Sequence, residues 1–267
     1  MTFEERYFSG KCLFGDDLDA EGLAKWYADE ERGYYDLAKS FNWGYDHYAL
    51  DRFNLFDRLP QKHYPVCIAS GCAGGDELQS VADRVGRFIA IEPAEAIWRK
   101  EPVGITPIEY MKPSVSGDIA LPSSSVDLSI WLSSLHHVPN VSHALGEMVR
   151  ILRPGGNMVL REPISTMGDW RKPRSGLTPN ERGFPLHWMD EKLISLGLSI
   201  TSRRLCCFAG TPIISRWLRQ YSPYDSKLVV RLDRMACLAF SWNLYYHRDR
   251  RYKKVAPTSV AYVLTKK

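Results

Sequence analysis

The chain has 267 residues, 25% charged and 45% hydrophobic, with a net charge of +4. That balance is ordinary for a globular protein and excludes a disordered chain, a collagen and a small disulfide scaffold. No apolar run approaches the ~18 residues of a membrane span, and Met1-Thr2-Phe3-Glu4-Glu5-Arg6 lacks the apolar core of a secretory signal. Charge is distributed unevenly. Residues 1–60 carry 7 Lys and Arg against 13 Asp and Glu, whereas residues 161–267 carry 20 against 8. The basic part suits either a solvated surface paired with the acidic N-terminal part or a partner bearing phosphate or carboxylate. None of the six cysteines forms a C-x-x-C pair, so the expectation is a reduced, cytoplasmic chain.

The first 60 residues predict helices. Asp19 can cap one in which Leu23, Trp26, Tyr27 and Tyr34 recur at helical spacing, and Leu50, Phe53, Phe56 and Leu59 form a second stripe ended by Pro60. From Val66 to Ser70 runs a short apolar segment closed by Gly71. Leu78, Val81, Ala82 and Val85 fit one face of a helix that Gly86 ends. Phe88–Ile91, closed by Glu92-Pro93, and Val126–Leu132 read as strands. Asn140 can cap a helix with Val141, Leu145, Met148, Val149 and Leu152 inward, stopped by Pro154-Gly155-Gly156, and Met158–Leu160 follows as a strand. Short buried strands alternating with helices predict a parallel α/β sheet covered on both faces. Beyond a polar loop over 165–185, Trp188–Leu196 reads as a helix, Leu198–Cys206 as a strand, and Ser259–Leu264 as a last strand. The expected organisation is a helical N-terminal cap (1–60), an α/β core (61–207), a helical or loop insertion capping the acceptor (208–256) and a final core strand (257–267).

The run Ser70-Gly71-Cys72-Ala73-Gly74-Gly75-Asp76 joins a strand to a predicted helix. Glycines let a backbone turn sharply under a ligand, and a helix start offers free N–H groups. Glu92 ends the next strand, 21 residues after Gly71, where a carboxylate can accept both hydroxyls of a ribose. Downstream come Gly117-Asp118-Ile119, Leu135-His136-His137-Val138, Glu147-Met148-Val149-Arg150 and Arg153-Pro154-Gly155-Gly156.

In this order and spacing the motifs resemble those of the class I S-adenosylmethionine-dependent methyltransferases, in the type-11-like subgroup related to small-molecule and sugar methyltransferases. The resemblance is close over residues 64–163. It implies a Rossmann-like seven-stranded sheet whose last strand is antiparallel, and S-adenosyl-L-methionine as cofactor. It places Gly71 and Ala73 under the methionine part, Glu92 at the ribose, Asp118 with Ile119 around the adenine, and Tyr34, Cys72, Pro93 and Ser133 among the further cofactor contacts. Two departures stand out. The acidic residue usual two positions before the first glycine is Ala69, and the second glycine is Ala73. Ala73 costs little if its backbone angles are ordinary, and Cys72 reads as packing. Residues 161–183 resemble a loop of uncharacterised methyltransferases associated with bacterial surface-polysaccharide synthesis.

Methyl transfer to a hydroxyl needs alignment, exclusion of water and a base. His136 and His137 follow the fourth strand and Glu162 ends the fifth. Neighbouring strands lie ~4.8 Å apart, so His136 and Glu162 can meet. His136 is favoured over His137 as the base, with Glu162 holding its tautomer; related sugar O-methyltransferases place a His and an acid at these positions. Arg161, Arg171, Arg174 and Arg182 suit an anionic acceptor, or a solvated loop. Asp169 and Glu181 are residue types that can hold a divalent ion, but two unplaced loop carboxylates are weak evidence; no metal ligand is assigned, and whether a divalent metal assists stays open. The reading is therefore an O-methyltransferase for a sugar-containing or anionic small molecule, with a homodimer possible and nucleic acid not expected. A non-catalytic S-adenosylmethionine-binding module and an RNA methyltransferase using the basic C-terminal part are the competing readings.

Overall fold

The apolar runs become the centre of one sheet. In the computed structural model, which describes residues 1–40, 45–218 and 222–267 (backbone only over 34–40), the strands are β1 (Tyr64–Ser70), β2 (Val85–Ile91), β3 (Ile108–Met111), β4 (Val126–Leu132), β5 (Leu152–Pro163), β6 (Leu198–Phe208) and β7 (Pro257–Lys266). Their order is β3-β2-β1-β4-β5-β7-β6. β1 to β5 pair in parallel, and β7 lies antiparallel between β5 and β6, with Leu160 opposite Tyr262. This is the Rossmann-like methyltransferase sheet that the motifs imply.

Side chains alternate between two cores, as a pleated strand buried on both faces requires. Cys67 and Ala69 of β1 join Phe88, Ile130 and Val159 on one face, while Ile68 joins Trp131, Leu145, Met148 and Leu160 on the other. The described helices are α1 (Ala20–Ser40), α2 (Tyr48–Asn54), α3 (Val141–Ile151), α4 (Leu186–Ser195), α5 (Thr211–Trp217) and α6 (Lys227–Ala239). Asp19 caps α1 as expected, its carboxylate accepting the Gly22 N–H at 2.9 Å. Asn140 precedes α3 but does not cap it; its side-chain amide donates to the Ser116 carbonyl. α5 and α6 lie between β6 and β7.

Two expectations about the core change. The helix expected over 78–85 is instead a pair of 3-10 turns, Asp76–Ser80 and Ala82–Arg84, and β2 has already begun at Val85. The crossover has only residues 71–84, and the glycine turn uses the first five, leaving too little chain for an α-helix that returns to the sheet. Gly86 therefore lies inside a strand, where a Cβ would stand 2.7 Å from the Pro65 carbonyl oxygen. β3 was not anticipated. It is a four-residue, half-exposed edge strand, too short and too polar to register as an apolar run.

β1 has β2 on one side and β4 on the other, both parallel. The connections leave these two neighbours in opposite directions, so a crevice opens at the carboxyl ends of β1 and β4, the usual place for a ligand in such a sheet.

Candidate active site

Gly71 begins the turn at that crevice. Its N–H donates to the Ile91 carbonyl at 2.8 Å, which ties it to the end of β2, and its φ of +63° suits a residue without Cβ. A Cβ there would lie 2.5 Å from the Ser134 Cβ, because the loop after β4 crosses beside it. The Ser134 hydroxyl donates to the Ser70 carbonyl at 2.7 Å. Ala73 does not have ordinary angles: its φ is +47°, which costs ~1–2 kcal/mol for a residue with a Cβ. Hydrogen bonds hold it there. Its N–H donates to Glu92 Oε2 at 3.0 Å, and its carbonyl accepts from the Tyr110 hydroxyl at 3.1 Å.

Glu92 is buried, and its other oxygen accepts the Ala94 N–H at 3.0 Å. Burial raises its carboxyl above the usual value, partly offset by the Ala94 and Ala73 N–H groups. Each carboxylate oxygen carries two lone pairs, so both can still accept a ribose hydroxyl. Pro93 is exposed beside it. Cys72 is buried, which pushes its thiol well above the ordinary range and leaves it a packing residue. Asp118 is exposed at the far side of the crevice, paired with His143 at 2.8 Å, and the Ile119 N–H donates to Glu147 at 3.0 Å. Ser133 has a φ of +57°, and its hydroxyl accepts from Arg161 at 2.6 Å. The side chain of Tyr34 lies outside the described residues.

One carboxylate here was not foreseen. Glu77 is buried just past the glycine turn, and its Oε1 has no hydrogen-bond partner among the described residues. Burial, then the nearby Asp51, pushes its carboxyl well above the usual range. Ala69 lacks the carboxylate usual before the turn, and Glu77 supplies a buried one close enough to feel the charges of Glu92 and Glu162. An orphaned acceptor beside a glycine turn fits the ammonium end of S-adenosylmethionine. A Cβ on Gly74 would meet only the Ile97 carbonyl oxygen, at 3.8 Å, so the turn leaves room for a ligand.

His136 and His137 form a 3-10 turn after β4. His136 Nδ1 lies 2.8 Å from Glu162 Oε2, and Glu162 Oε1 accepts the Ser134 and Leu135 N–H groups at 3.1 and 2.9 Å. The expected pairing across β4 and β5 is present. His137 has a carboxylate of its own: its Nδ1 lies 2.7 Å from Glu30 Oε2 of α1. Glu181 Oε2, from the loop after β5, stands 3.4 Å from His136 Nε2 and 3.3 Å from His137 Nε2. Burial opposes charge on His136, but Glu162 and Glu181 outweigh it and push its pKa up to about 9. Burial alone would raise the Glu181 carboxyl, and the two imidazoles hold it below the usual range instead. Glu30 was legible as an acid four residues after Trp26, on the buried side of an otherwise apolar stripe.

The four arginines pair with the protein's own groups. Arg161 is buried in an ion pair with Asp51 at 2.6 Å, joining β5 to α2. Arg174 spends its guanidinium on the carbonyls of Met167, Thr178, Pro179 and Glu181, which closes the loop that carries Glu181. Arg182 is fully buried between the rings of Trp26 and Phe184 and donates to the carbonyls of Phe14, His136 and Pro139 at 2.9–3.0 Å. Burial lowers its pKa to about 10. Arg171 alone is exposed, paired with Asp169 and Glu4 at an open cavity of about 520 Å³ also lined by Phe8, Tyr245 and His247. Asp169 thus pairs with Arg171, not with Glu181.

Arg182→Met should cost about 3 kcal/mol of stability, since buried carbonyls left unpaired cost ~1–3 kcal/mol each; a thermal melt followed by circular dichroism measures it. Arg171→Ala should leave stability nearly unchanged and the acceptor's KM unmoved, as an exposed ion pair contributes little. A KM that rises several-fold in steady-state assays would return Arg171 to the acceptor site.

Residues 68–160 match a family described as a methyltransferase domain. Over 127 residues the chain is 31% identical to an uncharacterized 37.1 kDa protein in transposon TN4556 of Streptomyces fradiae. That alignment covers 43% of this chain and 34% of the relative, so the match spans about a third of the curated protein. Among solved structures, an S-adenosylmethionine-dependent methyltransferase from Mesorhizobium loti superposes with a TM-score of 0.54 at 16% identity, covering 82% of this chain and 98% of that one. The [4+2]-cyclase SpnF superposes with a TM-score of 0.55 at 15% identity, covering 93% and 97%. Sheet and glycine turn define a class I S-adenosylmethionine-dependent methyltransferase fold. Residues 68–160 match the methyltransferase-domain family, and the cofactor that this match and the fold imply is S-adenosylmethionine.

Proposed function

We propose that the chain methylates an oxygen of a small sugar-type acceptor held at the carboxyl edge of β4 and β5, with His136 as the proton acceptor. The supporting observation is the His136–Glu162 pair at 2.8 Å, set one loop from the glycine turn by the contact of Ser134 with Ser70 and Gly71. S-adenosylmethionine, when bound, supplies a methyl group activated by its sulfonium. Gly71 and Ala73 lie under its methionine part, Glu92 holds the ribose, and Glu77 takes the ammonium. Glu162 accepts the Nδ1 proton of His136, so Nε2 is the acceptor atom once the imidazole, its pKa raised to about 9, has lost its second proton. Burial of His136, Glu162 and Glu181 keeps water from the reacting groups.

An anionic acceptor was expected from the basic loop, but the loop's arginines are engaged elsewhere. Three buried carboxylates, Glu30, Glu162 and Glu181, instead surround the histidines. They would repel an anion, so the part of the acceptor that enters is a neutral hydroxyl-bearing ring. A sugar meets that requirement, in keeping with a place in cytoplasmic polysaccharide synthesis. The test is incubation of the purified chain with labelled cofactor and a panel of nucleotide sugars and lipid-linked sugars. A labelled O-methyl product is expected, and turnover of amine acceptors alone would move the reaction to nitrogen.

A second reading is a protein that binds S-adenosylmethionine without transferring its methyl, because the similar SpnF fold is a [4+2]-cyclase. Calorimetric binding with no S-adenosylhomocysteine formed from any acceptor would favour it.

A further inference from the structure

His136 Nε2, His137 Nε2 and Glu181 Oε2 converge at the acceptor edge. His136 donates from Nδ1 to Glu162, and His137 donates from Nδ1 to Glu30. Both Nε2 atoms face the same oxygen, Glu181 Oε2, at 3.4 and 3.3 Å. These distances exceed the 2.8 and 2.7 Å of the Nδ1 contacts. They are instead the spacing of ligands around one metal ion: tetrahedral ligands ~2.0–2.1 Å from the ion lie about 3.3–3.4 Å apart. All three ligand atoms fall within 4.8 Å of one another.

We propose that His136 Nε2, His137 Nε2 and Glu181 Oε2 hold a divalent first-row transition cation, Zn²⁺ foremost, at the acceptor site. Two imidazoles and a carboxylate suit such an ion better than Mg²⁺ or Ca²⁺, which prefer all-oxygen sites. Every ligand already has the outer partner that metal sites use to fix orientation. Glu162 orients His136 and is itself held by two backbone N–H groups. Glu30 orients His137, and its Oε1 accepts the Asn180 N–H at 2.8 Å. Glu181 Oε1 accepts the Thr178 N–H at 3.0 Å. The cation also offsets three buried carboxylates. The side chain of His137 is 32% exposed against 8% for His136, so the site opens on one side. Three protein ligands with an open position are the make-up of a catalytic rather than a structural site.

The role of the cation rests on the methyl-transfer reading; its binding does not. The acceptor hydroxyl coordinates at the open position, and the ion lowers its pKa as it does that of bound water. The proton leaves to solvent past His137. The oxygen's electron pair forms the new O–C bond while the S–C bond breaks, and its electrons return to sulfur. In the cation-bound chain His136 is a ligand and the cation takes over deprotonation, while the proton-acceptor role of His136 belongs to the cation-free chain.

The test is titration of the chelator-stripped full chain with Zn²⁺ by calorimetry, with Co²⁺ as a visible-absorbance probe of tetrahedral coordination. One ion per chain is expected, together with a rise in melting temperature. Glu30→Gln should weaken binding ~10–100-fold, as loss of an outer partner does, and His137→Ala and Glu181→Gln at least as much. Circular dichroism confirms that each variant is folded. If a variant fails to fold, the wild-type Co²⁺ spectrum decides, since nitrogen and oxygen ligation in a tetrahedron gives bands that hydrated Co²⁺ lacks. No binding by the wild type, or equal binding by folded His137→Ala and Glu181→Gln, would overturn the site. S-adenosylmethionine affinity and methyl transfer with chelator present, measured on the same samples, report separately on the methyl-transfer reading.

Discussion

His136→Ala should lower the rate of methyl transfer by ~10²–10⁴, the range that a positioned proton acceptor contributes, while S-adenosylmethionine affinity stays near the wild-type value. The separation follows from placement. The imidazole touches Glu162, Glu181 and His137, whereas the glycine turn is held by Glu92, Tyr110 and Ile91. Glu162→Gln should lose less, because an amide oxygen can still accept from Nδ1. It no longer carries the charge that stabilises the imidazolium, however, and its NH₂ competes with the Ser134 and Leu135 N–H groups. Single-turnover assays with calorimetry on the same preparations measure both effects. An undiminished rate in folded His136→Ala would leave the chemistry to His137 and Glu30.

Glu92→Ala should weaken S-adenosylmethionine binding by ~10²–10⁴. Two hydrogen bonds from ribose to a charged acceptor stabilise by ~1.5–3 kcal/mol each, and every 1.4 kcal/mol is tenfold. The same carboxylate pins the N–H of Ala73, a residue in the left-handed region, so the variant should also loosen the turn and lower the melting temperature without ligand. Glu92→Gln separates the two roles. Its single carbonyl oxygen can keep one of the Ala73 and Ala94 N–H bonds, and its NH₂ faces the other. It should therefore retain more stability than affinity relative to Glu92→Ala. Calorimetry beside a thermal melt gives both quantities, and unchanged affinity in Glu92→Ala would remove Glu92 from the cofactor site.

Much of the core was legible because buried parallel strands are short, apolar and closed by turn residues. β4 coincides with the run Val126–Leu132, and Glu162 meets His136 because adjacent strands bring their carboxyl ends together. The helix expected over 78–85 failed because helical spacing says nothing of how much chain a crossover has to spend. Ala73 could be named as a departure from the family's glycine, but its positive φ could not be read from its identity.

The arginines mark where local reading ends. A run of basic residues looks the same whether its guanidinium groups face solvent, an anion or buried carbonyls. Only packing shows Arg182 enclosed between Trp26 and Phe184 and Arg161 paired with Asp51.

The sequence by itself determined the central strands, the glycine turn and the place of Glu92 at the end of β2, because strand period, turn chemistry and motif spacing are local properties of the chain. It also determined which histidines follow β4. Only the tertiary structure decided what those histidines face. Glu30 and Glu181 lie 106 and 45 residues from His136 in sequence. Their approach depends on how α1 and the loop after β5 fold over the sheet edge, and side-chain contacts at such separations are set by packing rather than by local pattern.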